Sequence, residues 1–277
     1  MKIAITADST CDIPKELLEQ YNIETVPLYV IMGDNEYREG QINSQDIYAY
    51  VEKNKMLPKT AAVSSYEYKE IFERKLKEFD AVIHFSLSFE ISSTGENAKR
   101  AAAELENVYV IDTKSLSSGS GLLVLSCADK IKENKTIEQI INELLEEREK
   151  IQASFLIPKL DYLKKGGRCS AVSFLSAKIL GLKVFIRLQE GKMEKGGIYK
   201  GKFSSCLSKY LNDIIKNCPP DLNRVFITYS SQMDGIKENV VKEVEALGFR
   251  EVIQMNAGAT ICSHCGPDTI GVLYMQK

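Results

Sequence analysis

The sequence predicts an α/β protein of two domains, the first with a mostly parallel sheet flanked by helices, the second with a mixed or antiparallel sheet. Three observations carry this. Short continuous apolar runs alternate with amphipathic helical stretches through the first half, the pattern of strands covered on both faces. A long charged helix, TIEQIINELLEEREKI (136–151), then interrupts the alternation. Beyond it come closely spaced strands and a Gly-rich hairpin around EGKMEKGGIYKG. The division falls near residue 151, giving domains 1–151 and 152–277, and 277 residues are ample for a sizeable core.

Taken in order, KIAIT (2–6) reads as a strand, and in DSTCDIPKELLEQY Asp12 is suited to cap a helix with Pro14 near its first turn. TVPLYVIM (25–32) reads as a second strand running into the polar turn GDNE. SQDIYAYVEKN (44–54) and SYEYKEIFERKLKEF (65–79) carry apolar residues at helical spacing. Strand DAVIHFSLS, helix ENAKRAAAEL, strand NVYVIDT and a Gly/Ser-rich turn into helix GLLVLSCADKIKEN complete the first half. The second half restarts with strand ASFLIP, short helix KLDYLKK, turn GGR, helix AVSFLSAKIL (171–180) and strand LKVFIRL. After the hairpin follow helix 203–217, strand RVFITYS, helix 235–247 and strand EVIQMN.

Composition narrows the function. A formal net charge of -2, with Lys and Arg scattered among Asp and Glu, favours neither nucleic acid nor an anionic membrane as partner. MKIAITADST turns polar too early for a signal peptide, and no stretch approaches the roughly 18 apolar residues of a membrane span. A cytoplasmic protein is expected. Seven cysteines, an odd and scattered set, fit reduced thiols in that compartment.

Three hydroxyl-rich segments stand beside predicted strand ends. In ISSTGENA, Ser92, Ser93 and Thr94 sit where a strand hands over to a helix. One of them caps the helix; the others are either solvated loop or, with the unpaired N–H groups of the helix start, a seat for an anion. Thr60 precedes Ser64 and Ser65, one of which caps the next helix, so Thr60 has no obvious structural task. IDTKSLSSGSGLL (111–123) again follows a strand and precedes a helix. Ligands of open α/β sheets settle outside the carboxyl ends of strands, where such loops converge. There is no G-x-x-x-x-G-K-[ST] and no third glycine after Gly119 and Gly121, which argues against phosphoryl transfer by this chain.

Near the C-terminus, Cys262 and Cys265 flank His264, so metal or redox chemistry has to be weighed. No second C-x-x-C or H-x-x-x-H completes a zinc site, and no metal is expected. His264, read as lying in a tight turn beside Gly266 and Pro267, suits either an anionic oxygen or a plain turn. His84, inside an apolar run, reads as a core residue. A Ser92–His264–Asp8 hydrolase trio is conceivable, but no G-x-S-x-G elbow supports it. Arg168 emerges from the turn after LDYLKKGG, facing a partner or solvent.

Six segments together resemble one family. TADSTCDIP resembles the D-S-[ST]-x-D-[IL] opening of the DegV family of bacterial fatty-acid-binding proteins, the acyl-carrying subunits of fatty acid kinase. TAAVS stands where that family has T-S-Q-P-S, and ISSTGENA where it has L-S-G-T-Y-Q-S-A. VIDTKSLSSGSGLLV, LDYLKKGGR and SHCGPDTIGV are similar to its later motifs, in the family's order and nearly end to end.

The resemblance implies a DegV-like carrier without enzymatic activity or cofactor, holding a long-chain fatty acid of the palmitate and oleate class in a tunnel between its domains. Thr60, Ser92 and His264 would hold the carboxylate, with Ser93, Thr94 and Gly266 around them. The implied partners are a separate kinase and, transiently, a membrane, met through Arg168 and Lys200; no nucleic acid is implied. The alternative is a hydrolase or an acyl- or phosphoryl-transferase acting on a small carboxylated or phosphorylated substrate at the same loops. The chain departs from the family where Ala61, Ala62 and Val63 replace S-Q-P, where Ser93 and Asp268 take glycine positions, and where Lys200 replaces an arginine.

Overall fold

The structure, a computed structural model, describes residues 1–168 and 181–277, so the helix expected over 171–180 lies outside the described residues. The chain begins with β1 (Ile3–Asp8), one 3-10 turn (Ser9–Cys11), α1 (Lys15–Gln20), β2 (Ile23–Val26), β3 (Tyr29–Met32) and β4 (Asn35–Arg38). It continues through α2 (Ser44–Asn54), β5 (Lys59–Ala61), α3 (Ser65–Leu76), β6 (Ala81–Ser86), α4 (Thr94–Ala102) and β7 (Val108–Asp112). Helices α5 (Ser118–Lys132) and α6 (Ile137–Arg148) lead to β8 (Ile151–Gln152), β9 (Ser154–Ile157), α7 (Asp161–Gly166), β10 (Leu182–Gln189) and β11 (Lys192–Lys200). The last elements are α8 (Phe203–Asn217), β12 (Pro220–Tyr229), α9 (Lys237–Glu245), β13 (Glu251–Asn256), α10 (Ala259–Cys265) and β14 (Ile270–Gln276). Three helices start at reciprocal caps written in the sequence: Asn43 with Asp46, Ser64 with Glu67, and Thr136 with Gln139.

The first sheet has the order β2-β1-β6-β7 and is wholly parallel, with Ile5 opposite both Ile23 and Ile83, and Phe85 opposite Ile111. Every residue of β6 is buried, as a central strand covered on both faces must be. The second sheet runs β11-β10-β9-β14-β12-β13, with β8 also on β14; only β12 and β13 are parallel. The expected mixture of a parallel and a mixed sheet is therefore present. A third, small antiparallel sheet, β4-β3-β5, was not anticipated.

Helix α5 explains how the two large sheets share a core. Its apolar residues Leu122, Leu123, Val124 and Leu125 lie in one buried cluster with Ile5 and Ile83 of the parallel sheet and Phe226 and Leu273 of the mixed one. A helix covered on both sides is apolar around most of its girth, and α5 is. The two glycines allow close approach: a Cβ on Gly119 would lie 3.2 Å from both Ala153 and Leu273, and one on Gly121 would lie 2.9 Å from the Cys11 carbonyl. Those glycines serve packing, as a short Gly pair at a helix start can.

Three local expectations are corrected. TVPLYVIM is two strands rather than one: Pro27 has no N–H to give a ladder, so β2 ends before it and β3 joins the small sheet. The break is held by Leu28, whose N–H donates to Ser9 Oγ (3.1 Å) while its carbonyl accepts from Glu39 N (2.9 Å). Asp12 does not cap α1; Pro14 occupies that position, and Asp12 takes a left-handed conformation that turns its carboxylate inward. His264 lies in α10 rather than in a turn, and TIGVLYM, unassigned from the sequence, contributes the central strand β14.

Candidate functional site

The carboxyl ends of β1, β6 and β7 open onto a cavity of about 870 Å³, its mouth included, bounded on the other side by the mixed sheet and α10. Thr10, Ser92 and Ser117 come from the loops after those three parallel strands, Thr60 from β5, and Phe155, Thr228 and His264 from the second half. Leu28, Leu87, Leu116, Phe155, Ile261 and Leu273 supply much of the apolar wall. Among the described lining residues there is no Asp or Glu, and Arg168 is the one formal charge.

Four of the lining polar groups are Thr60, Ser92, Arg168 and His264. Thr60 Oγ1 and His264 Nε2 are 2.9 Å apart although 204 residues separate them in the chain. The other ring nitrogen, Nδ1, is buried without a partner among the described residues and abuts Gly166, where a Cβ would lie 2.6 Å away. Burial first, and the nearby Arg168 charge second, lower the His264 pKa to about 4, so the ring is neutral near pH 7. Arg168 folds back to donate from Nη1 to the Gly166 carbonyl (3.0 Å). Ser92 Oγ accepts from the N–H of Thr94 (3.2 Å), leaving its own proton to donate outward.

The loop carrying Ser92 is fixed from below. Asp8, 1% exposed, accepts from Ser86 Oγ (2.7 Å) and Leu87 N (3.0 Å) through one oxygen and from Tyr68 through the other. Tyr68 also contacts Thr94 Oγ1 at 2.7 Å. Ser88 Oγ donates across to the Gly191 carbonyl (2.7 Å), tying the same loop to the β10–β11 hairpin.

A second clasp crosses between the halves. Asp12 accepts from Ser117 Oγ (2.6 Å) and Gly258 N (3.0 Å), and Glu39 accepts from Ser9 Oγ (2.8 Å) and Thr260 N (3.0 Å). Burial, then the negative charge of Glu39, push the Asp12 acid well above the usual carboxylate range.

Of the residues singled out in the sequence, Thr60, Ser92, His264 and Arg168 line one cavity. Ser93, the exposed N-cap residue of α4, and Thr94, buried against Tyr68, do not line it. Gly266 ends α10 at φ +72 with Tyr162 packed against it, and Lys200 is exposed at the end of β11. The Ser92–His264–Asp8 trio is not assembled: His264 meets Thr60, and Asp8 is engaged by Tyr68, Ser86 and Leu87. Cys262 and Cys265 are both buried, with Cys262 Sγ 3.4 Å from the Ala257 carbonyl, and Cys265 also lines the cavity. Residues not foreseen are Thr10 and Thr260; Thr260 lies one helical turn before His264, a spacing that was visible in GATICSH.

The chain is similar to known proteins over its full length. A DegV domain-containing protein of Caldanaerobacter subterraneus is 31% identical over 286 residues, spanning 100% of this chain and 99% of that protein. A solved DegV family protein of Thermus thermophilus, described as binding fatty acid, superposes with a TM-score of 0.93 at 28% identity, covering 100% of both chains. A stearic-acid-binding protein of Eubacterium ventriosum superposes with a TM-score of 0.85 at 26% identity, covering 99% of this chain and 98% of its own. A family model described as "Uncharacterised protein, DegV family" matches residues 2–277, and the chain therefore belongs to the DegV family.

Proposed function

We propose that this protein binds a long-chain fatty acid of the palmitate and oleate class, holds its carboxylate at Thr60, Ser92 and His264 with Arg168 beside them, and presents that carboxylate to a separate fatty acid kinase. One observation carries the reading: Thr60, Ser92, His264 and Arg168, with no acid among the described lining residues, face a cavity walled largely by Leu, Ile and Phe. A carboxylate buried alone is costly, but two hydroxyls and a guanidinium offset that cost. If His264 donates from Nε2 to Thr60 Oγ1, the threonine proton is left for the ligand. Each buried methylene contributes roughly 0.8 kcal/mol, so a palmitoyl tail offers roughly 10 kcal/mol gross before ordering costs.

On this reading the two domains are 1–151 and 152–277, and the tail runs between them. The protein is a carrier rather than an enzyme, without cofactor. No carboxylate meets His264 Nδ1 among the described residues to orient the ring as a base, which weighs against turnover by the chain itself. A partner that phosphorylates the carboxylate needs ATP, so the encounter is cytoplasmic; Arg168 and Lys200 are its proposed contacts, at the cavity and at the exposed end of β11.

Denaturing mass spectrometry of the purified protein tests the binding claim. A long-chain fatty acid should be released in near-stoichiometric amount. Protein that stays lipid-free after incubation with palmitate or oleate defeats it.

A further inference from the structure

Two hydroxyls in the cavity have no task in the fold. Thr10 is fully buried and Thr260 is 5% exposed; both line the cavity, and neither Oγ1 has a hydrogen-bond partner among the described residues. Other hydroxyls of the same wall are engaged: Ser117 with Asp12, Thr228 with Ser118, Ser230 with the N–H of Thr269, and Thr269 with the Cys265 carbonyl. The segments that carry the two orphans are tied together by one carboxylate, since Glu39 takes both the hydroxyl of Ser9, the neighbour of Thr10, and the N–H of Thr260. An apolar acyl chain passing here would leave two buried hydroxyls unpaired, each at the cost of its desolvation.

We propose that the cavity is built for an acyl chain bearing an oxygen on its own carbons, a hydroxy fatty acid, whose hydroxyl lies between Thr10 and Thr260. The inference rests on the carrier reading and specifies its ligand class. The helix also locates the oxygen. Thr260 and His264 are four residues apart on α10, so they share a face about 5–6 Å apart. That distance spans only a few carbon–carbon bonds, which puts the ligand hydroxyl in the first third of the chain, near the carboxylate. A ligand hydroxyl both donates and accepts, so it satisfies one threonine as donor and the other as acceptor.

The test is a competition among palmitate, β-hydroxypalmitate and palmitate hydroxylated near its methyl end, offered together to the purified protein and counted after denaturing release. Wild type should take the β-hydroxy acid over palmitate by about tenfold, the yield of one or two neutral hydrogen bonds. Thr10→Val with Thr260→Val should bring the ratio to near unity, and Thr10→Ser with Thr260→Ser should restore it. Palmitate bound as well as or better than the β-hydroxy acid overturns the proposal while leaving the carrier reading intact. Equal uptake of the acid hydroxylated near its methyl end, or a preference that survives both valines, overturns it too. Failure of all three acids to bind rejects the carrier reading itself.

Discussion

Gly166→Ala tests how finely the imidazole must be placed. Gly166 is the last residue of α7 and has no positive φ, so the backbone accepts alanine there. The new Cβ, however, would lie 2.6 Å from His264 Nδ1 and 3.4 Å from Cε1. Comfortable contact needs about 3.5–4 Å, so the ring must retreat by about 1 Å. Its bond to Thr60, now 2.9 Å, would stretch past useful length. Losing that bond, and with it the alignment of the threonine proton on a charged ligand, should weaken fatty-acid binding by about tenfold, the yield of about 1.4 kcal/mol. Stability should hardly move, since alanine improves the helix by about 0.5–1 kcal/mol against the small local strain. Displacement of a fluorescent fatty acid gives the affinity and a thermal melt gives Tm. An affinity within about twofold of wild type in a variant that melts normally would refute the claim that the ring position set by Gly166 matters.

Other outcomes follow from the same geometry. Arg168→Gln removes the one formal charge of the described cavity wall and should weaken binding about ten- to hundredfold, the range of hydrogen bonds to charged groups, and flatten its dependence on ionic strength. His264 is held at about 4 against an ordinary 6.5, so between these values the unfolded chain binds the extra proton. The sign is therefore a loss of stability as pH falls from 6.5 towards 4; Tm of the lipid-free protein should drop more steeply across that window than Tm of His264→Gln, and parallel curves would count against it. Asp8→Asn breaks the anchor beneath the Ser92 loop, where one carboxylate serves Tyr68, Ser86 and Leu87, and should cost about 2–4 kcal/mol in a urea melt.

Much of the fold was legible because its strands are continuous apolar runs and its helices begin at recognisable caps, as at Ser64 and Thr136. The legible part failed where punctuation and period disagree. Pro27 divides a run that hydrophobicity alone joins, and in TIGVLYM a strand follows so soon after the Gly266–Pro267 turn signal, with Gly271 inside it, that local punctuation masks the apolar run. For the site, composition and spacing supplied only hydroxyl-rich loops; selecting Thr60, Ser92 and His264 depended on the family resemblance. No local pattern can bring a strand residue to a helix residue 204 positions away. Thr10 and Thr260 were illegible for a different reason. Whether a buried hydroxyl has a partner is a property of packing, and threonines with and without one are spelled alike.

Helix α5 has a consequence for how such a chain can be rearranged. Its 15 residues face β1 and β6 on one side and β12 and β14 on the other, so the helix is common property of both sheets. Severing the polypeptide near residue 151 would hand α5 to the N-terminal fragment with one greasy flank exposed to water, and would leave the C-terminal fragment lacking part of its lining. Fragments made that way should aggregate alone and recover only when refolded together, which makes the full-length polypeptide, rather than either half, the smallest unit available for transplantation into another protein.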